Sequence, residues 1–274
     1  IIELGPRSVS NIIQRGGTIL KTSRCEEFEK QQGIRKAKVN LERNEIDGLI
    51  VIGGNGTYRG GYDLGKVWSG KIIGIPATID NDLYGTDYTI GYDTAINTAL
   101  ECIDKIRDTA DAHERFFLVE VMGRKAGFIA LDVAVSGGAE EVLIPETNTR
   151  VKDICERLCA GKKKGKMSSI IVVAEGGEEG GAFKIAEKLK KMSGNEYRVV
   201  VLGHLQRGGA PTAADRLLAA ELGAFAVEQL MKGKSGVAVG KVNDQLITIP
   251  LKHTWTKRKK LNPFLLKLIP ILAT

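Results

Sequence analysis

Short β-branched runs alternate with amphipathic stretches along most of the 274 residues, and this alternation constrains the fold more than any other feature. Strands are predicted over residues 49–52, 71–76, 116–121, 141–144, 168–174 and 198–202, each bounded by glycine, proline or charge. Helices are predicted over 93–112, 126–135, 151–164, 182–192 and 212–231. In the first of these, Ile96, Ala99, Leu100, Ile103 and Ile106 recur at helical spacing. Strand and helix in strict alternation imply an α/β chain with a parallel sheet and helices on both faces. In such folds the working residues lie in loops just past the carboxyl ends of the strands.

Composition removes several other classes. With 43% apolar and 27% charged residues, the chain is neither largely disordered, collagen-like nor a coiled coil. No apolar run approaches the roughly 18–20 residues that span a bilayer, and the start lacks a signal-peptide pattern, so no membrane role is expected. The net charge of +7 is concentrated in Lys162, Lys163, Lys164 and Lys166 and in Lys257, Arg258, Lys259 and Lys260, runs that read as solvated surface. With only 7 Phe, 6 Tyr and 2 Trp, none interleaved with the first run, nucleic acid is not an expected partner. Single arginines facing a small anionic substrate explain the excess as well. Cys25, Cys102, Cys155 and Cys159 form no CxxC pair and read as reduced thiols of a cytoplasmic protein. The segment 263–272 is too short to span a membrane and is expected to dock on the body of the protein.

Four loops carry chemistry. Gly53-Gly54-Asn55-Gly56-Thr57-Tyr58-Arg59-Gly60 follows the first strand and precedes a helical stretch, so backbone N–H groups can converge there on a phosphate. No Gly-Lys-Ser/Thr follows, which excludes a Walker loop. Thr78-Ile79-Asp80-Asn81-Asp82 follows the next strand, and its two carboxylates fit proton abstraction together with electrostatic or metal work. Glu120-Val121-Met122-Gly123-Arg124 places a guanidinium at a helix start, where the helix dipole disfavours a cation unless an anionic ligand is near. Leu202-Gly203-His204-Leu205-Gln206-Arg207-Gly208-Gly209 sets a histidine three residues from an arginine in a glycine-rich turn. It reads as a donor set for phosphate or hydroxyl.

Together with Arg15-Gly16-Gly17-Thr18, Gly137-Gly138-Ala139-Glu140 and Ala174-Glu175-Gly176, these motifs resemble those of the bacterial-type ATP-dependent 6-phosphofructokinases, from about Val9 to about Leu246. The resemblance implies two Rossmann-like αβα domains with the active site in the cleft between them. A nucleotide-binding domain would comprise 1–91 plus 206–256, and a sugar-phosphate domain 92–205 plus 257–274. It further implies transfer of the γ-phosphoryl of ATP to the 1-hydroxyl of fructose 6-phosphate, with Mg²⁺ as cofactor, in a cytoplasmic homotetramer that shares active sites between subunits. Asp80 would take the proton, Thr78 and Asp82 would complete the catalytic loop, and Arg124 would stabilise the transferring group. Met122, Gly123, Glu175 and His204 would hold the sugar, and Arg115, Arg198 and Arg207 its phosphate, with Arg115 and Arg198 reaching in from a neighbouring subunit. Arg24, Gly54, Gly56, Thr57 and Gly60 would line the ATP site. An allosteric site would involve Arg107, Gly138, Glu140 and Lys164.

Two departures from that pattern stand out. The family's opening strand and Gly-rich turn have no counterpart, so the polypeptide reads as truncated. Asn55 replaces an aspartate that helps hold Mg²⁺, leaving an amide oxygen and Asp82 as the metal-facing groups. Pyrophosphate-dependent relatives carry Asp at the position of Gly56 and Lys at that of Ala77, so the two small residues here favour ATP. The competing readings are a pyrophosphate-dependent phosphofructokinase, a lipid or NAD kinase, and a non-catalytic regulatory subunit that binds sugar phosphate or nucleotide.

Overall fold

The structure is a computed structural model describing residues 1–147, 149–177 and 180–272. The chain divides into one unit of residues 1–78, 82–93 and 210–259 and another of residues 79–81, 94–209 and 260–274. The last two residues of the expected sugar-phosphate domain, 273 and 274, lie outside the described residues. No described helix is long and apolar enough to cross a membrane.

In the first unit, residues preceding α1 (Gln31–Arg43) form only 3₁₀ turns at Pro6–Val9 and Glu26–Glu29 and are almost entirely exposed. β1 (Gly48–Gly53) runs into α2 (Asn55–Leu64), and β2 (Lys71–Pro76) pairs parallel to β1 in the register Gly48↔Lys71 to Gly53↔Pro76. One face of this sheet buries Tyr58, Leu64 and Ile34 from α2 and α1 against Ile72 and Ala238. The other buries Ile73, Ile75 and Val239 against the helix Ala213–Met231. Each such aliphatic side chain contributes roughly 1.5–3 kcal/mol when fully buried. Tyr58 is wholly buried over Gly74, where a Cβ would stand 2.6 Å from its ring. Burial pushes its hydroxyl pKa well above the ordinary tyrosine value.

The second unit begins its regular structure with α3 (Tyr92–Ala112), whose first two residues belong to the first unit. β3 (Phe116–Val121), α4 (Phe128–Ser136), β4 (Glu141–Leu143), α5 (Val151–Lys163), β5 (Ser169–Ala174), α6 (Gly181–Ser193) and β6 (Tyr197–Val201) follow. All strand pairs are parallel, in the order β4-β5-β3-β6. β5 is buried at every position, which explains why it reads as a continuous apolar run without alternation. Phe116, Leu118, Ile171 and Val173 pack with α5 and α6 residues Ile154, Leu158, Ile185 and Leu189. α4 lies against β4 and β5.

The predicted elements all occur, with ends shifted by one or two residues. Strict alternation fails in one place. After α7 (Ala213–Met231), β7 (Val237–Val242) and β8 (Gln245–Pro250) form an antiparallel hairpin, so the first unit's sheet is mixed, in the order β1-β2-β7-β8. Asn243 and Asp244 turn the hairpin with φ of 48° and 61°. A two-residue turn with both residues in the left-handed region matches strand twist, and Asn and Asp tolerate it. A short helix, α8 (His253–Thr256), closes this unit. α9 (Pro263–Leu272) packs on α4 and β4, as expected of a docking segment.

Candidate active site

Within the first unit, the glycine cluster is less of a loop than its composition suggests. Only Gly53 and Gly54 precede the helix, and Gly56, Gly60 and Gly61 lie inside α2. Helical glycine costs roughly 1 kcal/mol relative to alanine, so a packing reason is needed. Gly61 supplies one, because its Cβ would sit 3.3 Å from Val51 and 3.5 Å from Ile72. Gly60 lies under Phe28, and Gly56 faces open space with nothing within 4 Å of a built Cβ. The turn itself is tight: a Cβ on Gly53 would meet Thr57 Oγ1 at 2.3 Å, and one on Gly54 would meet Thr78 at 3.2 Å. The helix start, with its free N–H groups, thus stands directly beyond β1 and beside Thr78. Asn55 Nδ2 donates to Asp82 Oδ2 at 2.6 Å. Arg24 lies exposed on the segment between the two 3₁₀ turns.

Residues 79–81 belong to the second unit, where Asp80 is 4% exposed. Asp80 Oδ2 is 3.4 Å from Nε of Arg124, whose side chain is 65% exposed. Arg124 has φ of 53°, and Asn81 has φ of 51°. Left-handed backbone at non-glycine residues costs on the order of 1 kcal/mol or more and persists only where the surroundings fix it. The surroundings here are specific. The Arg124 N–H donates to Glu175 Oε1 at 2.8 Å. The Arg124 carbonyl rests on Gly176, where a Cβ would lie only 1.5 Å from its oxygen. Met122 N–H donates to Gln206 Oε1 at 2.8 Å, and Gly127 N–H donates to both oxygens of Glu146 at 2.9 and 3.0 Å. The loop from Met122 to Gly127 is therefore held by three side chains as well as by the Ala126 N–H to Gly123 carbonyl bond of 3.0 Å.

His204 and Arg207 are exposed on the 3₁₀ turn Gly203–Arg207 that ends β6. Arg115 and Arg198 are not gathered with them. Arg115 immediately precedes β3, and Arg198 pairs with Phe117 at the amino end of the same sheet. Met122, Gly123, Arg124 and Glu175 follow the carboxyl ends of β3 and β5. Arg198 lies level with Phe117, five residues before Met122, and Arg115 lies seven before it, which at about 3.3 Å per residue sets them roughly 16 and 23 Å from the Met122 end within this chain.

The residues expected at an allosteric site make contacts in two separate groups. Arg107 Nη2 donates to the carbonyls of Gly137 and Gly138, the latter at 2.9 Å. Glu140 accepts from Ile170 N–H and pairs with Lys166 at 3.2 Å. Lys164 is exposed at the end of α5.

Sequence reading missed Gln206, Glu146 and the close approach at Gly176. The signal available was position alone, a glutamine between His204 and Arg207 and a glutamate after the β4 strand. Which N–H groups lose their strand partners is visible only in three dimensions.

Comparison with known proteins identifies the family. A sequence model of the phosphofructokinase family, described as Phosphofructokinase, matches residues 1–230. ATP-dependent 6-phosphofructokinase 1 of Thermus thermophilus is 54% identical over 273 residues, covering 100% of this chain and 85% of its own length. Phosphofructokinase of Pichia pastoris, crystallised in the T-state, superposes with a TM-score of 0.85 at 29% identity, covering 98% of this chain, which spans 33% of the yeast chain. The pyrophosphate-dependent phosphofructokinase of Marinobacter aquaeolei gives a TM-score of 0.81 at 24% identity over 95% of this chain and 71% of its own, a likeness of fold. A match that runs through every loop described above, at about half identity over the full chain, places this polypeptide in the phosphofructokinase family.

Proposed function

We propose that this protein transfers the γ-phosphoryl of ATP to the 1-hydroxyl of fructose 6-phosphate, giving fructose 1,6-bisphosphate and ADP, a glycolytic step in the cytoplasm. The observation that carries the reading is the 54% identity, across the whole chain, to an enzyme named ATP-dependent 6-phosphofructokinase. The first unit acts as the nucleotide-binding domain and the second as the sugar-phosphate domain.

Phosphoryl transfer asks the protein mainly to position reactants and to neutralise charge. Asp80 is the base that accepts the proton of the sugar 1-hydroxyl. Its neighbour Arg124, with Nε 3.4 Å from the carboxylate, meets charge on the transferring group during the reaction. Glu175 both fixes the Arg124 backbone and, with Met122, Gly123 and His204, takes up the sugar. Arg207 binds the 6-phosphate. Gly54, Gly56, Thr57 and Gly60, with Arg24, line the ATP phosphates at the start of α2, and Thr78 completes the catalytic loop. Because Arg115 and Arg198 stand at the amino end of their sheet, roughly 16–23 Å along it from their own chain's Met122 turn, the fitting role for them is donation to a partner copy, in a homotetramer. Arg107, Gly138, Glu140 and Lys164 form the regulatory site.

Mg²⁺ fits the donor set. Among the described residues no three His, Cys, Asp or Glu converge, but Mg²⁺ in kinases takes one or two carboxylates and otherwise water and phosphate oxygens. Asp82, with the Asn55 amide against it, offers hard oxygen of that kind. When bound, Mg²⁺ neutralises charge on the phosphate oxygens.

ATP is favoured over pyrophosphate because Gly56 opens onto free space. The test is formation of fructose 1,6-bisphosphate from fructose 6-phosphate with ATP·Mg²⁺ and, separately, with pyrophosphate·Mg²⁺. Turnover with ATP at least tenfold faster is expected. Equal or faster turnover with pyrophosphate overturns the choice of donor, and turnover with neither supports a non-catalytic binding subunit.

A further inference from the structure

We infer that Gln206 is a positioning residue that locks the His204–Arg207 turn to the Met122–Arg124 turn, so that one side chain sets the register of both halves of the sugar-phosphate site. The inference rests on the proposed function above. It begins with a ladder that stops. β3 and β6 pair in parallel from Phe116↔Tyr197 to Glu120↔Val201, and the last rung is Leu202 N–H to the Glu120 carbonyl at 3.0 Å. A continued parallel ladder would offer the Leu202 carbonyl to Met122 N–H. The chain instead turns at Gly203, with φ of 49°, into a 3₁₀ helix, and that carbonyl accepts from Leu205 N–H at 3.3 Å. Met122 N–H is thereby left without a strand partner in a place shielded from water. Gln206, 1% exposed, folds back and supplies the missing acceptor through Oε1 at 2.8 Å.

The orientation of that amide is fixed. Turning it over would set its NH₂ group against the Met122 N–H, donor against donor. The buried Nε2 has no hydrogen-bond partner among the described residues. The chain thus keeps a polar amide in the interior with half of its capacity unused, where an aliphatic side chain would avoid that cost. The acceptor at Met122 is what the amide provides that an aliphatic residue does not. Two sugar-facing residues flank each end of this bond: His204 and Arg207 on the turn, and Met122 itself with Gly123. Arg124 follows one residue later. Slippage of the turn would displace all of them together.

The test uses the whole enzyme with Gln206→Leu, which fills the space without an acceptor, and Gln206→Glu, which keeps one. Kinetics are measured for both substrates, and folding by thermal melting. For Q206L the KM for fructose 6-phosphate is expected to rise roughly tenfold, the value of one hydrogen bond of ordinary strength. The KM for ATP should stay within about twofold, and Q206E should recover most of the loss. His204→Ala should cost less in the Q206L background than in the wild type, because the histidine is already displaced. A folded Q206L with unchanged sugar KM, or strictly additive effects in the double variant, overturns the inference. If Q206L does not fold, Gln206→Met, which matches the length without a strong acceptor, decides: a roughly tenfold rise in sugar KM with the ATP KM unchanged upholds the inference, and an unchanged sugar KM overturns it. Wild-type turnover is measured alongside. Its absence sinks the proposed function, whereas turnover with an indifferent Gln206 sinks only this inference.

Discussion

Gly176→Ala is the sharpest perturbation of the candidate site, because the added atom meets backbone and not a flexible side chain. Its Cβ would lie 1.5 Å from the Arg124 carbonyl oxygen, 2.5 Å from the carbonyl carbon and 3.2 Å from Lys125 Cα. Real Cβ contacts stay beyond 3.0 Å, so the Arg124 turn or the end of β5 must retreat by at least about 1.5 Å. The Arg124 N–H bond to Glu175, now 2.8 Å, and the Nε contact with Asp80, now 3.4 Å, both break under such a shift. Misplacing a reacting group by about 1 Å costs on the order of 10²-fold, so kcat should fall by about that factor or more. Forcing a methyl into a filled site destabilises by about 1–3 kcal/mol, enough to lower Tm by several degrees in a chain of this size. Gly177→Ala is the control, since its Cβ would meet only the Ala174 carbonyl, at 3.6 Å, an ordinary contact. Steady-state kinetics and thermal melting of wild type and both variants form the assay. If Gly176→Ala retains kcat within about threefold while folded, the turn does not need to sit against β5 and the positioning of Arg124 argued above is wrong.

Further outcomes follow from other contacts. Asp80→Asn should lower kcat by about 10²–10⁴-fold, the range of a positioned base, with little change in sugar affinity; a change confined to KM removes Asp80 from that role. Asn55→Asp replaces a donor to Asp82 by a like charge. The variant should melt lower without Mg²⁺ and reach half-saturation at lower Mg²⁺ than the wild type, and coincident midpoints in a thermal-shift titration reject the idea that Asn55 weakens metal binding. Burial, followed by the neighbouring Cys159, raises the Cys155 thiol pKa above its ordinary value. Thiol titration near pH 7.5 should therefore label exposed Cys25 first and Cys155 last. Equal rates for the two would mean that α5 opens readily.

The strands and helices of the second unit were legible because each is a local pattern with a local cause. β5 is buried at every position and apolar from Ile170 to Ala174, as suits a central parallel strand, and α3 repeats its apolar residues at helical spacing. The hairpin of β7 and β8 carries local marks, two β-branched runs on either side of the Asn243-Asp244 pair, but it breaks the alternation of strand and helix that guides the rest of the reading. α1 escaped because it buries only Gly33 and Ile34 fully. Its apolar positions Ile34, Ala37 and Leu41 stand at helical spacing, but they are few among polar and basic residues. The glycine cluster was read as a cradle, but three of its members are helical glycines. Two of these, Gly60 and Gly61, answer to contact of α2 with Phe28, Val51 and Ile72, whereas Gly56 faces open space.

Sequence alone determined the fold class, the family and which residue types stand at the strand ends, because periodicity, turn chemistry and motif order are written along the chain. Tertiary structure alone decided which of those residues meet. It set Asp80 against Arg124, Glu175 and Gly176 beneath that arginine's backbone, and Gln206 on Met122, while it left Arg115 and Arg198 at the far end of their sheet. The reason is geometric. A hydrogen bond or a steric contact depends on where one strand ends relative to its neighbour, and that offset arises from sheet register between segments about fifty to eighty residues apart, which no local pattern encodes.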